Sequence, residues 1–162
     1  MAFIGIITSN KNEEILKKAV IESLKNRETK HNVIIINEEN IDNMKNIKFN
    51  SIIMNKENNI KEKRKLVLKQ ILKNANYLII NSDIYTKLDM VANINIAVIT
   101  FGYNLKATVT ASSVNEEKIL LCIQRNIKID NKTNIEPKEI YSDIIRKDVY
   151  ITMATSVVKL LY

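Results

Sequence analysis

The sequence predicts an α/β fold: a mostly parallel sheet with flanking helices, followed by a small antiparallel β-sheet. Three observations predict it. Short apolar runs without polar alternation recur as far as Gly102, as strands buried on both faces require. Amphipathic stretches of helical spacing separate several of these runs. After Gly102 the pattern changes to β-branched stretches joined by a turn signal, which reads as antiparallel hairpins.

The first strand is expected over residues 3–7. Thr8-Ser9-Asn10 follow as helix N-cap residues, and Glu13 and Glu14 fall in the first turn, where the positive helix end favours acids. Ile15, Leu16, Ala19, Val20, Ile21 and Leu24 then recur at helical spacing. Strands are expected over 33–36 and 51–54. A helix is expected over 61–72 with Leu66, Val67, Ile71 and Leu72 on one side. Further strands follow over 77–80 and 96–100. The region 106–114 is rich in β-branched residues, Asn115-Glu116-Glu117 makes a turn, and 118–125 returns as a strand, with 127–129 alternating. Pro137 marks a break. Asp148 then caps a last helix whose Val149, Met153, Val157, Leu160 and Leu161 form one apolar stripe. No linker or repeat divides the 162 residues, so one domain over 1–162 is expected.

Composition excludes several chemistries. The chain has two glycines, one cysteine and one histidine. Gly5 and Gly102 are far apart, so an intact Walker A loop, dinucleotide fingerprint or nucleophile elbow is ruled out. A Cys/His zinc site within one chain is ruled out as well. Cys122, inside the run Ile119-Leu120-Leu121-Cys122-Ile123, reads as a buried small hydrophobe. His31 reads as exposed and idle. Asp130, Asp143 and Asp148 have no partner at ligand or acid–base spacing, and no nucleophile–base pair stands out.

The net charge of +7 invites a nucleic-acid partner. The lysines, however, are scattered among Glu and Asn, and no aromatic interleaves the densest run, 61–65. A basic nucleic-acid binder is therefore the least favoured reading. The opening residues lack a basic leader, and no apolar run approaches the roughly 20 residues of a membrane helix. A cytoplasmic protein without membrane contact is expected.

Two places carry polar residues where an α/β sheet presents its crevice. The loop Thr8-Ser9-Asn10-Lys11-Asn12 offers two hydroxyls and a lysine at a helix start, where anions bind. It reads either as an anion site or as an ordinary capped helix start. Asn81-Ser82-Asp83 ends the fourth strand and reads either as a ligand contact or as a turn. Lys65 and Lys69 read as solvated lysines.

In this order the stretches resemble the central ATP-binding domain of the Mur ligases and folylpolyglutamate synthases. Asn81-Ser82-Asp83 resembles that family's Asn-x-Asp-Asp motif, with Ile84 in place of the second acid. Val98-Ile99-Thr100-Phe101-Gly102-Tyr103 is similar to its Thr-Tyr-Gly strand. Lys147-Asp148-Val149-Tyr150-Ile151-Thr152-Met153-Ala154-Thr155 resembles its closing helix. Lys65 stands about where the family carries a carbamylated, metal-associated lysine. Residues 6–12 overlie the family's Thr-Gly-Thr-Asn-Gly-Lys-Thr loop: Thr8 and Lys11 match, Ile7 and Asn10 replace the glycines, and Asn12 replaces the metal-binding threonine.

The resemblance implies a degenerate, stand-alone central domain. Phosphoryl transfer needs preorganised amides, a lysine and Mg²⁺. With the glycines and the Mg²⁺ hydroxyl replaced, it implies a non-catalytic relative that binds a small ligand or a protein partner, in a cell-envelope setting. The cofactor- or ligand-binding candidates are Thr8, Ser9, Asn10, Lys11, Asn12, Asn81 and Asp83; no catalytic or metal-ligating residue is expected. No cofactor is expected. ATP and Mg²⁺ enter only if the chain is the nucleotide-binding subunit of a ligase completed by a partner chain. Surface that neighbouring domains cover in the family implies a two-fold dimer.

Overall fold

The computed structural model describes residues 1–129 and 133–162. Asp130, one of the aspartates singled out in the sequence, lies outside the described residues. Among the described residues ten strands are present: β1 (Ala2–Ile7), β2 (His31–Ile35), β3 (Ser51–Met54), β4 (Tyr77–Asn81), β5 (Ala97–Phe101), β6 (Val109–Val114), β7 (Lys118–Ile123), β8 (Ile127–Lys128), β9 (Asn134–Ile135) and β10 (Lys138–Asp143). Four α-helices accompany them: α1 (Glu13–Leu24), α2 (Ile41–Met44), α3 (Lys65–Lys73) and α4 (Val149–Leu161).

Eight strands form one sheet in the order β10-β7-β6-β5-β4-β3-β1-β2. From β2 across to β6 the neighbours run parallel, while β6, β7 and β10 pair antiparallel. The expected α/β architecture is present, and three of the antiparallel strands extend the parallel sheet. A separate two-stranded sheet, β8-β9, is antiparallel. The order reverses between β1 and β3, the switch point where α/β sheets open a crevice beyond their carboxyl ends.

The alternation of strand side chains builds two cores. Ile53 of β3 and Ile79 of β4 face a core shared with α1 and α4. Ile52, Met54, Leu78 and Ile80 face a second core shared with α2 and α3. Covering both faces is what the uninterrupted apolar runs required. Gly5 lets the second core close: a Cβ there would stand 2.8 Å from Ile36 Cδ1 and 3.2 Å from the Phe49 ring.

Several expectations are corrected. Thr8-Ser9-Asn10 do not cap α1. A short 3-10 turn over Asn10–Asn12 precedes it, and the Asn12 amide donates to Ser9 Oγ at 2.6 Å instead of the side chains meeting backbone N–H groups. Ile15 and Ile21 stay exposed while Leu16, Ala19, Val20 and Leu24 bury, a narrower stripe than expected. In α3, which begins at Lys65, Ile71 and Leu72 are buried as expected, but Leu66 is 80% exposed and Leu68 is buried in its place. The last helix carries no single stripe. Ile151 to Val158 are all buried, because α4 is packed against both α1 and the sheet. Its Asp148 cap is as expected, accepting from the Ile151 N–H at 3.0 Å. Cys122 is only half-buried. His31 is half-buried too and meets the Tyr162 ring edge-on at 5.1 Å; burial, the N-terminal charge and Arg27 lower its pKa.

Candidate functional site

Strand register brings three polar residues into one row. Ile7 of β1 pairs with Met54 of β3, and Met54 with Ile80 of β4. The next residues, Thr8, Asn55 and Asn81, therefore stand side by side at the carboxyl ends of three adjacent strands. All three are buried, at 3%, 0% and 1% exposure. With strands ~4.8 Å apart, Thr8 and Asn81 are separated by about 10 Å, with Asn55 between them. The Asn81 amide donates to Asn55 Oδ1 at 3.4 Å. Among the described residues neither Thr8 Oγ1 nor Asn55 Nδ2 has a hydrogen-bond partner. Buried polar atoms are satisfied in the great majority of cases, so two orphans in one row mark it out.

The two sequence-predicted sites differ in what the fold does with them. At Asn81-Ser82-Asp83 the polar groups are consumed internally. Asn81 Oδ1 accepts from the Asp83 N–H at 3.0 Å. The Asp83 carboxylate accepts four hydrogen bonds: from Tyr103 N–H at 2.6 Å, Asn104 N–H at 3.1 Å, the Asn104 amide at 2.7 Å and the Tyr150 hydroxyl at 3.1 Å. The Asn104 amide also donates to Ser82 Oγ at 2.7 Å. Gly102, at φ +156°, lets the chain pass this close, since a Cβ would stand 2.7 Å from the carboxylate. Burial pushes the Asp83 carboxyl up, but the hydrogen bonds from Asn104, Tyr103 and Tyr150 outweigh it and hold its pKa below the ordinary value. Tyr150 is pushed up to about 12 by burial and by its bond to Asp83. Asp83 thus ties β4, the loop after β5 and the start of α4 together.

The loop at residues 8–12 leaves a cavity of about 220 Å³ beside it, between the ends of β1 and β2 and the segment after β3. Thr8, Asn10, Glu13, Asn37, Glu38 and Glu39 line it, whereas Lys11 and Asn12 do not. Lys11 is exposed. Ser9 is held by Asn12, and Asn10 Oδ1 accepts from the Asn59 amide at 3.0 Å. One carboxylate oxygen of Glu13 is buried without a partner. Glu38 accepts from the Lys61 N–H at 3.0 Å and lies 3.8 Å from Arg64, while Glu13 and Glu39 have no ion pair among the described residues. A wall of glutamates repels a polyphosphate and suits a cation or a hydroxyl-bearing group. Among the described residues no group of three His, Cys, Asp or Glu side chains could hold a metal ion.

The fold therefore does not join the predicted residues into one phosphate site. Thr8 and Asn10 share a cavity, Asn81 and Asp83 belong to an internal hydrogen-bond network, and Lys11 stands apart from both. Lys65 is exposed and pairs with Glu62. Sequence reasoning missed Asn55, Glu38 and Glu39. The available signal was position: Asn55 follows directly on the carboxyl end of the buried strand β3, and Glu38 and Glu39 follow closely on that of the parallel edge strand β2. No helix of the described residues is long and apolar enough to cross a membrane. In comparisons with known proteins, no family model and no curated protein matches the sequence.

Proposed function

We propose that this chain is a non-catalytic binding module, a degenerate relative of the Mur ligase central domain. Its ligand is a small cationic or hydroxyl-rich molecule held in the cavity beside Thr8. The observation that carries this reading is the fully buried, unpartnered Thr8 hydroxyl at the rim of a cavity walled by Glu13, Glu38 and Glu39. A buried hydroxyl without a partner destabilises the free protein by about 1–3 kcal/mol, which a ligand atom accepting or donating there offsets. Glu13 and Glu39 supply negative charge with no ion pair among the described residues to neutralise it. The cavity is small beside the 300–1,000 Å³ typical of drug-sized ligands, which favours a compact ligand of a few polar groups.

The alternative, a nucleotide-binding subunit completed by a partner chain, needs a polyphosphate in the same place. The glutamates oppose it, and Lys11 does not line the cavity. Calorimetry separates the two. Under our reading a small diamine such as putrescine binds, and Glu39→Gln weakens it. Under the alternative ATP·Mg binds and Lys11→Ala weakens it. Binding of ATP·Mg without binding of the amine overturns our reading.

Self-association belongs to the same proposal. The outer edge of β10 is unpaired in the sheet, and Tyr141 there is 77% exposed, an arrangement that suits two-fold strand pairing with a second copy. Light scattering that returns a monomer mass at high concentration contradicts this.

A further inference from the structure

A second cavity, of about 580 Å³, lies between α3, the segment after β3 and the loop after β4. It shares Asn58 and Ile60 with the cavity beside Thr8 but differs from it in charge and character. Ile60, Leu66, Leu68 and Met90 give it apolar walls. Leu66 has no place in the core of α3, at 80% exposure, and stands at this cavity's edge. An exposed leucine of this size on a cavity wall marks a surface that is more stable when covered. Lys65 and Lys69 also line the cavity and sit one helical turn apart, a like-charge spacing that opposes the helix slightly. Lys65 is neutralised by Glu62. Lys69 is half-buried and has no ion pair among the described residues. The acids of the lining, Glu57 and Asp89, are exposed at the rim. The Tyr85 hydroxyl is already committed, donating to the Lys56 carbonyl at 2.8 Å and accepting from the Asn58 amide at 2.9 Å. Of the three lysines in the lining, Lys65 is paired and Lys87 is exposed to water, which leaves Lys69 as the one partly desolvated over an apolar floor.

We propose that this cavity binds an amphiphilic monoanion, an apolar chain carrying one carboxylate, with the chain against Leu66, Leu68 and Met90 and the carboxylate on Lys69. The volume falls within the range of small-molecule sites, and an apolar lining with one placed charge is their usual make-up. The head group gains a charge-assisted hydrogen bond from an ammonium that has no ion pair among the described residues. The chain covers apolar surface that water now touches. The inference is independent of the ligand beside Thr8.

The test uses the full chain with isotope-labelled methionine methyl groups and three probes: decanoate, decylamine and acetate. Decanoate, kept below its micelle concentration, shifts the Met90 methyl signal and leaves those of buried Met54 and Met153 in place. It binds about 10-fold more tightly than decylamine, which has the same chain and the opposite charge. Acetate, a head without a chain, does not bind measurably. Lys69→Gln lowers decanoate affinity by about 10-fold, and Leu66→Ser lowers it as well. Both positions lie outside the packed core, and a thermal melt of each variant checks that the fold is retained. Equal affinity for decanoate and decylamine, an unmoved Met90 signal, or full affinity in Lys69→Gln overturns the proposal. Thr8→Val leaves decanoate binding unchanged, so failure here is distinguishable from failure of the site beside Thr8.

Discussion

The hydroxyl of Tyr150, in the first turn of α4, donates to the Asp83 carboxylate, at the end of β4, across 3.1 Å. Tyr150 also meets the Tyr103 ring edge-on at 5.6 Å, so the loop after β5 is gripped from both sides. An aspartate that reads in the sequence as a ligand contact is here the joint between strand, loop and helix.

Removing that joint destabilises the fold. Asp83→Ala leaves the Tyr103 and Asn104 N–H groups and the Asn104 amide without their acceptor. The expected loss is about 1–3 kcal/mol, read from urea denaturation. Tyr150→Phe removes one of the four bonds and costs about 1 kcal/mol. An Asp83→Ala protein as stable as the parent shows that the carboxylate has no structural role.

The same carboxylate sets a pH dependence. Its folded pKa is lowered from 3.8, so the unfolded chain takes up its proton first as the pH falls. The stabilisation is fully present above the unfolded value and is lost as pH drops through the lower folded value. Denaturation midpoints measured from pH 6 down to pH 2 should fall less steeply in Asp83→Ala than in the parent. Parallel curves contradict the assignment.

Thr8→Val is expected to raise stability by about 1 kcal/mol, because it replaces an orphaned buried hydroxyl with a methyl group of the same shape. It should also abolish ligand binding beside Thr8. A stabilised protein that has lost its ligand is the usual trade at a binding site. Destabilisation instead means that the hydroxyl is satisfied in solution.

Gly5→Ala puts a methyl group 2.8 Å from Ile36 Cδ1 and 3.2 Å from the Phe49 ring. The overpacking costs about 1–3 kcal/mol, and trimming Ile36 to Val in the same chain should recover part of it. Thermal melts of the single and double variants provide the check.

Where local pattern sufficed, the fold was legible. Ser51–Met54 reads as a strand to the residue because four residues buried on both faces leave no polar alternation. The Asp148 cap is equally plain, with a helical run directly behind it. The α2 turn, Ile41–Met44, escapes because four residues hold a single buried apolar side chain, Ile41. β10 escapes because Lys138-Glu139-Ile140-Tyr141-Ser142-Asp143 is mostly charged or polar, and only pairing with β7 makes it a strand. In the site, the strand-end positions of Thr8, Asn81 and Asp83 were readable. That Asp83 would be consumed was not, because its donors Tyr103, Asn104 and Tyr150 come from loop and helix brought in by tertiary packing. Nor could the sequence reveal Thr8 as an orphan, since a missing partner has no sequence signal.

An amide-resolved NMR titration of the full chain with putrescine, and separately with ATP·Mg, tests the binding proposal most directly. The amine should move the signals of Thr8, Glu13 and Asn37 to Glu39 and leave Tyr103 and Asn104 unmoved, while ATP·Mg moves none of them. Shifts from ATP·Mg spanning residues 8–12 and Asp83, with the amine silent, contradict the account.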